Sequence, residues 1–144
     1  MKAVTLDEAS YALGDLNLEA MISQVDDWTR YPQTDASQCL TRLKGASIAV
    51  INKVKMDADL IKALPDLKLI LLTATGTDNV DLTACKAQGV TVCNVTDYAT
   101  PSVAQHVFAL ILALSTNLQA YAAETASGQW SKAAHFSTLS YPIT

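Results

Sequence analysis

The sequence predicts an α/β protein built on a doubly wound, parallel sheet of five strands, and three observations predict it. Short β-rich runs alternate with stretches in which apolar residues recur every three or four positions, the pattern of parallel strands joined by crossover helices. Ile48–Ile51 and Leu69–Leu72 are apolar without interruption, which marks strands covered on both faces. Capping and turn residues fall at the joints between the runs.

The elements follow in order. Residues 2–6 form the first strand, and a helix is expected over 15–25. A weaker strand at 28–31 precedes a helix over 35–43, which Thr34 would cap and Gly45 would end in a left-handed residue. A strand at 47–51 leads to a helix over 57–64, opened by Asp57 and closed by Pro65. A strand at 67–73, a helix over 80–88 ending at Gly89, and a strand at 90–95 complete the alternation.

Beyond residue 98 the composition changes, and only Glu124 and Lys132 are charged there. Pro101 suits the first turn of a helix that would run to Ala126, roughly 39 Å at about 1.5 Å per residue. Its stretch from Val107 to Leu114 is apolar on every side, so a partner subunit or a further domain has to cover it. After Gly128 the periodicity stops, and the ending Tyr141-Pro142-Ile143-Thr144 reads as an interrupted connection. The expected organisation is therefore a domain over 1–100, a long helix over 101–126, and a truncated connection over 127–144.

Composition bounds the function. The chain has 144 residues, 50% hydrophobic and 17% charged, enough for one real core and unlike a disordered segment. Ten basic against fourteen acidic residues leave a net charge of −4, with Arg30 and Arg42 the sole arginines. That balance excludes the electrostatic footprint of a nucleic-acid binder and disfavours anionic membranes. The longest apolar run, eight residues from Val107, is far short of a bilayer span of about 20. The start turns acidic at Asp7-Glu8 before any long apolar stretch, unlike a secretory signal, so a soluble, cytoplasmic protein is expected. Cys39, Cys85 and Cys93 form no CxxC pair, and His106 and His135 lie far apart, which gives a metal site no support and suggests reduced thiols. GxGxxG, a Walker loop, GxSxG and HExxH are all absent, so nothing here orients NAD by itself.

The stretch 67–81 carries the best candidate site: a buried strand, a glycine turn, then an acid-rich helix start. In open parallel sheets, ligands bind beyond the carboxyl ends of the strands. The backbone at Thr75 and Gly76, with the following helix N-terminus, would receive a small anion such as a carboxylate. The plainer alternative leaves Gly76 as a turn and Asp78 as a helix cap. Asn52 and Lys53, at the end of the preceding strand, would face the same crevice with hydrogen bonds and one positive charge, or form an ordinary polar strand exit. Asp7 and Glu8 lack a third aspartate at the position held by Asn52 and Lys53, so they read as helix-entry charges rather than a phosphoryl or metal site. His106 and His135 have no orienting carboxylate near them in sequence and do not read as general bases.

Three collinear segments, LPDLKLILLTATGTDNVDLTACKAQGVTVCNV, TPSVAQHVFALILAL and SGQWSKAAHF, are similar to the amino-terminal portion of the D-2-hydroxyacid dehydrogenases. INKV and TATGTDNVD most resemble the glycerate dehydrogenase, or hydroxypyruvate reductase, branch. The resemblance implies a flavodoxin-like substrate domain over 1–100, interrupted in full-length relatives by an inserted NAD(P)-binding Rossmann domain. It further implies that the backbone at Thr75 and Gly76 holds the carboxylate of a small 2-keto or 2-hydroxy acid. Residues 51–53, with Asn52 and Lys53, would line the same cleft, and Ser102 would lie near the nicotinamide. Residues 101–126 would be the crossover and dimerisation helix of a homodimer, with a swapped arrangement of the tail from Trp130 as a variant.

The family's glycine fingerprint and its catalytic arginine, glutamate and histidine come after the region matching Tyr141-Pro142-Ile143. Arg30, Arg42 and His106 do not align with them, and no catalytic residue is carried over. The expectation is a truncated dehydrogenase substrate domain, inactive alone and binding no dinucleotide. The alternative is a stand-alone dimeric module that binds a small carboxylate or has a regulatory role.

Overall fold

The computed structural model describes residues 1–12, 14 and 16–135. The chain divides into two units, Met1–Thr96 and Asp97–Thr144.

The first unit is a five-stranded parallel sheet of β1 (Lys2–Thr5), β2 (Asp27–Arg30), β3 (Ile48–Ile51), β4 (Leu69–Leu72) and β5 (Thr91–Cys93) in the order β2-β1-β3-β4-β5. Val4 lies opposite Thr29 and Ala49, and Ile51 opposite Leu72. Strand order reverses between β1 and β3, which makes their carboxyl ends the switch point of the doubly wound sheet.

Successive side chains in a strand point to opposite faces. Val4, Ala49, Ile51, Ile70 and Leu72 share the main core with Cys39 and Leu43 of α2 (Ala36–Leu43), Ile61 of α3 (Ala58–Lys62) and Cys85 of α4 (Leu82–Gln88). On the other face Ala3, Ile48 and Val50 are buried, with Val25, Trp28, Leu69 and Leu71 only partly so. The expectation of two covered faces therefore holds for β3, whose four residues are all buried, but not for β4, where buried and half-buried residues alternate.

Several helix boundaries depart from the sequence reading. Asp35, not Thr34, stands at the start of α2, where Gln38 Oε1 accepts the Asp35 N–H at 3.2 Å to close a capping box. Thr34 instead donates its hydroxyl to the Leu6 carbonyl and accepts from Arg42. The helix expected over 15–25 shrinks to α1 (Glu19–Ile22). Gly14 turns the chain at φ 87°, and Asn17 Oδ1 takes the Glu19 N–H at 2.9 Å, so helical bonding starts late. Asp57 caps α3 through Leu60 N–H, and Gly45 and Gly89 both adopt φ 73°, as their sequence positions predict.

The second unit contains α5 (Thr100–Ser115), α6 (Leu118–Ala126) and α7 (Gln129–Lys132). Pro101 sits in the first turn of α5 as expected, but a continuous helix over 101–126 does not form. The axis bends by 64° between α5 and α6, where Asn117 takes a left-handed φ of 51°. Ser115 and Thr116 donate their hydroxyls back to the Leu112 carbonyl at 3.1 and 2.7 Å, loosening the last turn of α5. Within this chain the apolar stretch of α5 is exposed, Phe108 by 65% and Leu114 by 72%, which leaves its expected cover to a partner subunit or a further domain. No single described helix is long and apolar enough to cross a membrane. The Tyr141-Pro142-Ile143-Thr144 ending lies outside the described residues.

Candidate functional site at the carboxyl edge of the sheet

Three loops leave the carboxyl ends of β1, β3 and β4, and a single side chain ties the first two together. Asp7, just past β1, is 6% exposed. Its carboxylate accepts the backbone N–H groups of Asn52, Lys53 and Val54 at 2.5 to 3.2 Å. A buried carboxylate is tolerable only when its lone pairs are filled, and three consecutive amides fill them. Reading Asp7 as a helix-entry charge was therefore incorrect. Glu8 opens only a single 3-10 turn, Glu8–Ser10, and pairs bidentately with Arg30. The Arg30 guanidinium bonded to Glu8 holds that carboxyl below its ordinary value.

The β3 exit is secured from two further sides. Asn52 Nδ2 donates to Ser10 Oγ at 3.0 Å, and Asn79 Nδ2 donates to the carbonyls of Asn52 and Val54 at 3.2 and 2.8 Å. Asn52 is thereby engaged in structure through both its amide N–H and its side chain. Lys53, between the two carbonyls held by Asn79, is exposed, and its ammonium has no acceptor among the described residues. It borders a cleft of about 390 Å³ at the β1/β3 switch point, lined also by Asp7, Ser10, Gln33, Thr34 and Val54.

The β4 exit carries the glycine turn. Thr75 and Gly76 are exposed. The Thr75 carbonyl accepts from Asn94 Nδ2 at 2.7 Å, and the Ala74 carbonyl from Val95 N–H at 3.1 Å, which fixes the turn against the β5 exit. The N–H groups of Thr75, Gly76 and Thr77 donate to no acceptor among the described residues. A Cβ on Gly76 would come within 2.9 Å of Asp78 Oδ1, so the Asp78 side chain takes the space on that side of the glycine.

One part of the sequence reading fails here. The glycine turn does not run into a helix N-terminus, because α4 begins only at Leu82. Asp81 caps it by accepting the Ala84 N–H at 2.9 Å, so Asp78 is not the cap either. The N–H groups left without an acceptor at Gly76 are loop amides alone. Asn79 joins this turn to the Lys53 loop, a link invisible in the sequence because the two segments lie 25 to 27 positions apart.

Ser102 belongs to the second unit, in the first turn of α5, where its hydroxyl donates to the Ala99 carbonyl at 2.9 Å. Cys39 and Cys85 are buried, with thiols pushed up chiefly by that burial, while Cys93 is exposed. Among the described residues no group of His, Cys, Asp and Glu is placed to hold a metal ion.

The family profile of the D-isomer specific 2-hydroxyacid dehydrogenase catalytic domain matches residues 6–142. The chain belongs to the D-isomer specific 2-hydroxyacid dehydrogenase family. It is 42% identical over 146 residues to a glycerate dehydrogenase of Methylorubrum extorquens, covering 99% of this chain and 44% of that protein. The solved acyclic imino acid reductase in complex with NADPH and D-Arg superposes with a TM-score of 0.77 at 22% identity, over 99% of this chain and 43% of that one. D-lactate dehydrogenase from Aquifex aeolicus, complexed with NAD and lactic acid, gives 0.71 at 24% identity, over 92% and 39% of the respective chains. At these identities the two structures show the shared fold. The chain thus spans less than half the length of these dehydrogenase-family proteins.

A dinucleotide is what such dehydrogenases imply, and the described residues do not fit one. A pyrophosphate needs a strand running into bare glycine amides at a helix N-terminus. Here β1 runs into the acids Asp7 and Glu8, and β4 runs into a turn with a single glycine that leads to no helix N-terminus. No hydride-transfer step is derived from these residues.

Proposed function

We propose that this chain is the substrate-binding part of an NAD(P)-dependent oxidoreductase of the glycerate dehydrogenase or hydroxypyruvate reductase type. Its ligand is a small 2-keto or 2-hydroxy acid, and these residues by themselves do not turn that acid over. The observation that supports this reading is the exposed turn whose Thr75, Gly76 and Thr77 N–H groups have no described acceptor, joined through Asn79 to the backbone carbonyls on either side of Lys53. A carboxylate accepts several N–H groups at once, and such charge-assisted bonds are the strong ones. The missing helix N-terminus shifts the burden of charge compensation onto Lys53. Ser102 would approach the nicotinamide supplied by a dinucleotide-binding part. Hydride transfer needs that cofactor and an acid/base for the hydroxyl proton, for which these residues offer no candidate.

The same reading makes the protein a homodimer through residues 101–126, with α5 and α6 at the interface and a swapped arrangement of the tail as one form of it. Titration of the chain with hydroxypyruvate and glyoxylate, followed by amide NMR, tests the site. Shifts confined to Lys53 and the 75–77 turn are expected, with a Kd on the order of 1 mM, equivalent to about −4 kcal/mol. Gly76→Ala, which leaves an ordinary φ and displaces only the Asp78 side chain, should weaken binding about tenfold, or roughly 1.4 kcal/mol. Absence of shifts at these residues would refute the carboxylate site. NADH oxidation by the chain alone with hydroxypyruvate would refute its inactivity, and tight binding of the acid without dinucleotide would favour the stand-alone module.

A further inference from the structure

The loop that carries Lys53 is held more firmly than a strand exit requires. Asp7 gathers the amides of Asn52, Lys53 and Val54 on one side, while Asn79 holds the carbonyls of Asn52 and Val54 on the other. Ser10 takes the Asn52 side chain as a third anchor. The N–H groups of residues 52–54 and the carbonyls on either side of Lys53 are thus bonded, while the Lys53 ammonium has no acceptor among the described residues. Asp7 has no cation partner among the described residues. Its negative charge is spent on backbone dipoles rather than on the nearby ammonium.

Three converging amides would otherwise form an anion receptor in their own right. Because an internal carboxylate already fills that receptor, an incoming anion finds no vacancy there and meets Lys53 instead. We infer that Asp7, with Asn79 opposite it, is the positioning residue of the acid-binding site: it fixes the Lys53 backbone so that the ammonium meets the substrate carboxylate held at the Thr75–Gly76 turn. This rests on the reading of the site given above. Ordering the loop before binding removes an entropy cost that would otherwise fall on the complex.

The test uses the full chain, with glyoxylate and hydroxypyruvate as probes, in the wild type, Asp7→Asn, Asn79→Asp, Lys53→Met and the Asp7→Asn/Lys53→Met pair. In Asp7→Asn, amide exchange at residues 52–54 should accelerate at least about tenfold while that of α4 stays unchanged, since local opening can be confined to one cooperative segment. The Kd should rise about tenfold in Asp7→Asn, and the double variant should bind no more weakly than Lys53→Met alone, the non-additivity expected of two residues acting as one. Asp7→Asn binding as tightly as wild type, or effects that simply add in the double variant, would overturn the inference while leaving the acid site intact. A wild type that binds neither acid would bring down the site and the inference together. If Asp7→Asn does not fold, Asn79→Asp carries the decision, because it removes the donor on the opposite side of the same loop. Faster exchange at residues 52–54 with weakened binding is then expected, and unchanged binding would overturn the inference.

Discussion

At the end of β1 the Glu8 carboxylate takes both arms of the Arg30 guanidinium, and that bond lowers its pKa. A carboxyl with a depressed folded pKa contributes stability that is present above its unfolded value, here 4.5, and is lost as the pH falls through the folded one. With Arg30 43% exposed, solvent screens much of the pair, so Glu8→Gln should cost about 0.5 kcal/mol at pH 7. Urea unfolding of both forms should show that gap closing below pH 4.5; a gap unchanged at low pH would rule the pairing out. The neighbouring Asp7 shows why residue roles were only half legible. Its position after β1 was readable, but its partners lie 45 to 47 residues further along the chain. No local pattern distinguishes a carboxylate that meets solvent from one that meets three amides. Thr75, Gly76 and Lys53 were legible as candidates because exposure at a strand's carboxyl end is itself written in the alternation of runs and turns.

The elements were more readable than their ends. Five strands form at the β-rich runs, the weaker one expected at 28–31 as Asp27–Arg30, and Asp57, Gly45 and Gly89 punctuate as their chemistry requires. The break between α5 and α6 was missed because the apolar content on either side masks three weak helix formers in succession, Ser115, Thr116 and Asn117. Two of them turn their hydroxyls onto the Leu112 carbonyl, and the third accommodates a left-handed backbone that most residues resist. Replacing Thr116 and Asn117 together by alanine should therefore favour fusion of α5 with α6. Circular dichroism should register greater ellipticity at about 222 nm, whereas an unchanged spectrum would mean that packing, not local chemistry, makes the bend.

For the whole molecule, the governing fact is how much apolar surface the second unit leaves in water. Val107, Phe108, Leu110, Ile111, Leu112 and Leu114 are each at least 48% exposed. Contiguous apolar patches beyond a few hundred Å² are rare on monomers. The homodimer proposed above answers that exposure, and light scattering should give twice the chain mass at micromolar concentration. Phe108→Glu with Leu112→Glu should shift the population toward monomer without altering the first unit's circular dichroism. A wild type that stays monomeric at millimolar concentration would remove the proposal.

The three thiols also have a practical consequence. Two are sealed in the core, and the third, Cys93, closes the outermost strand one residue before Asn94, which grips the Thr75 carbonyl. The native sequence therefore provides its own chemically distinct attachment point: a maleimide fluorophore would settle on one edge of the sheet without any engineered cysteine, next to the residue that holds the glycine turn, where its emission would test the proposed binding of an acid.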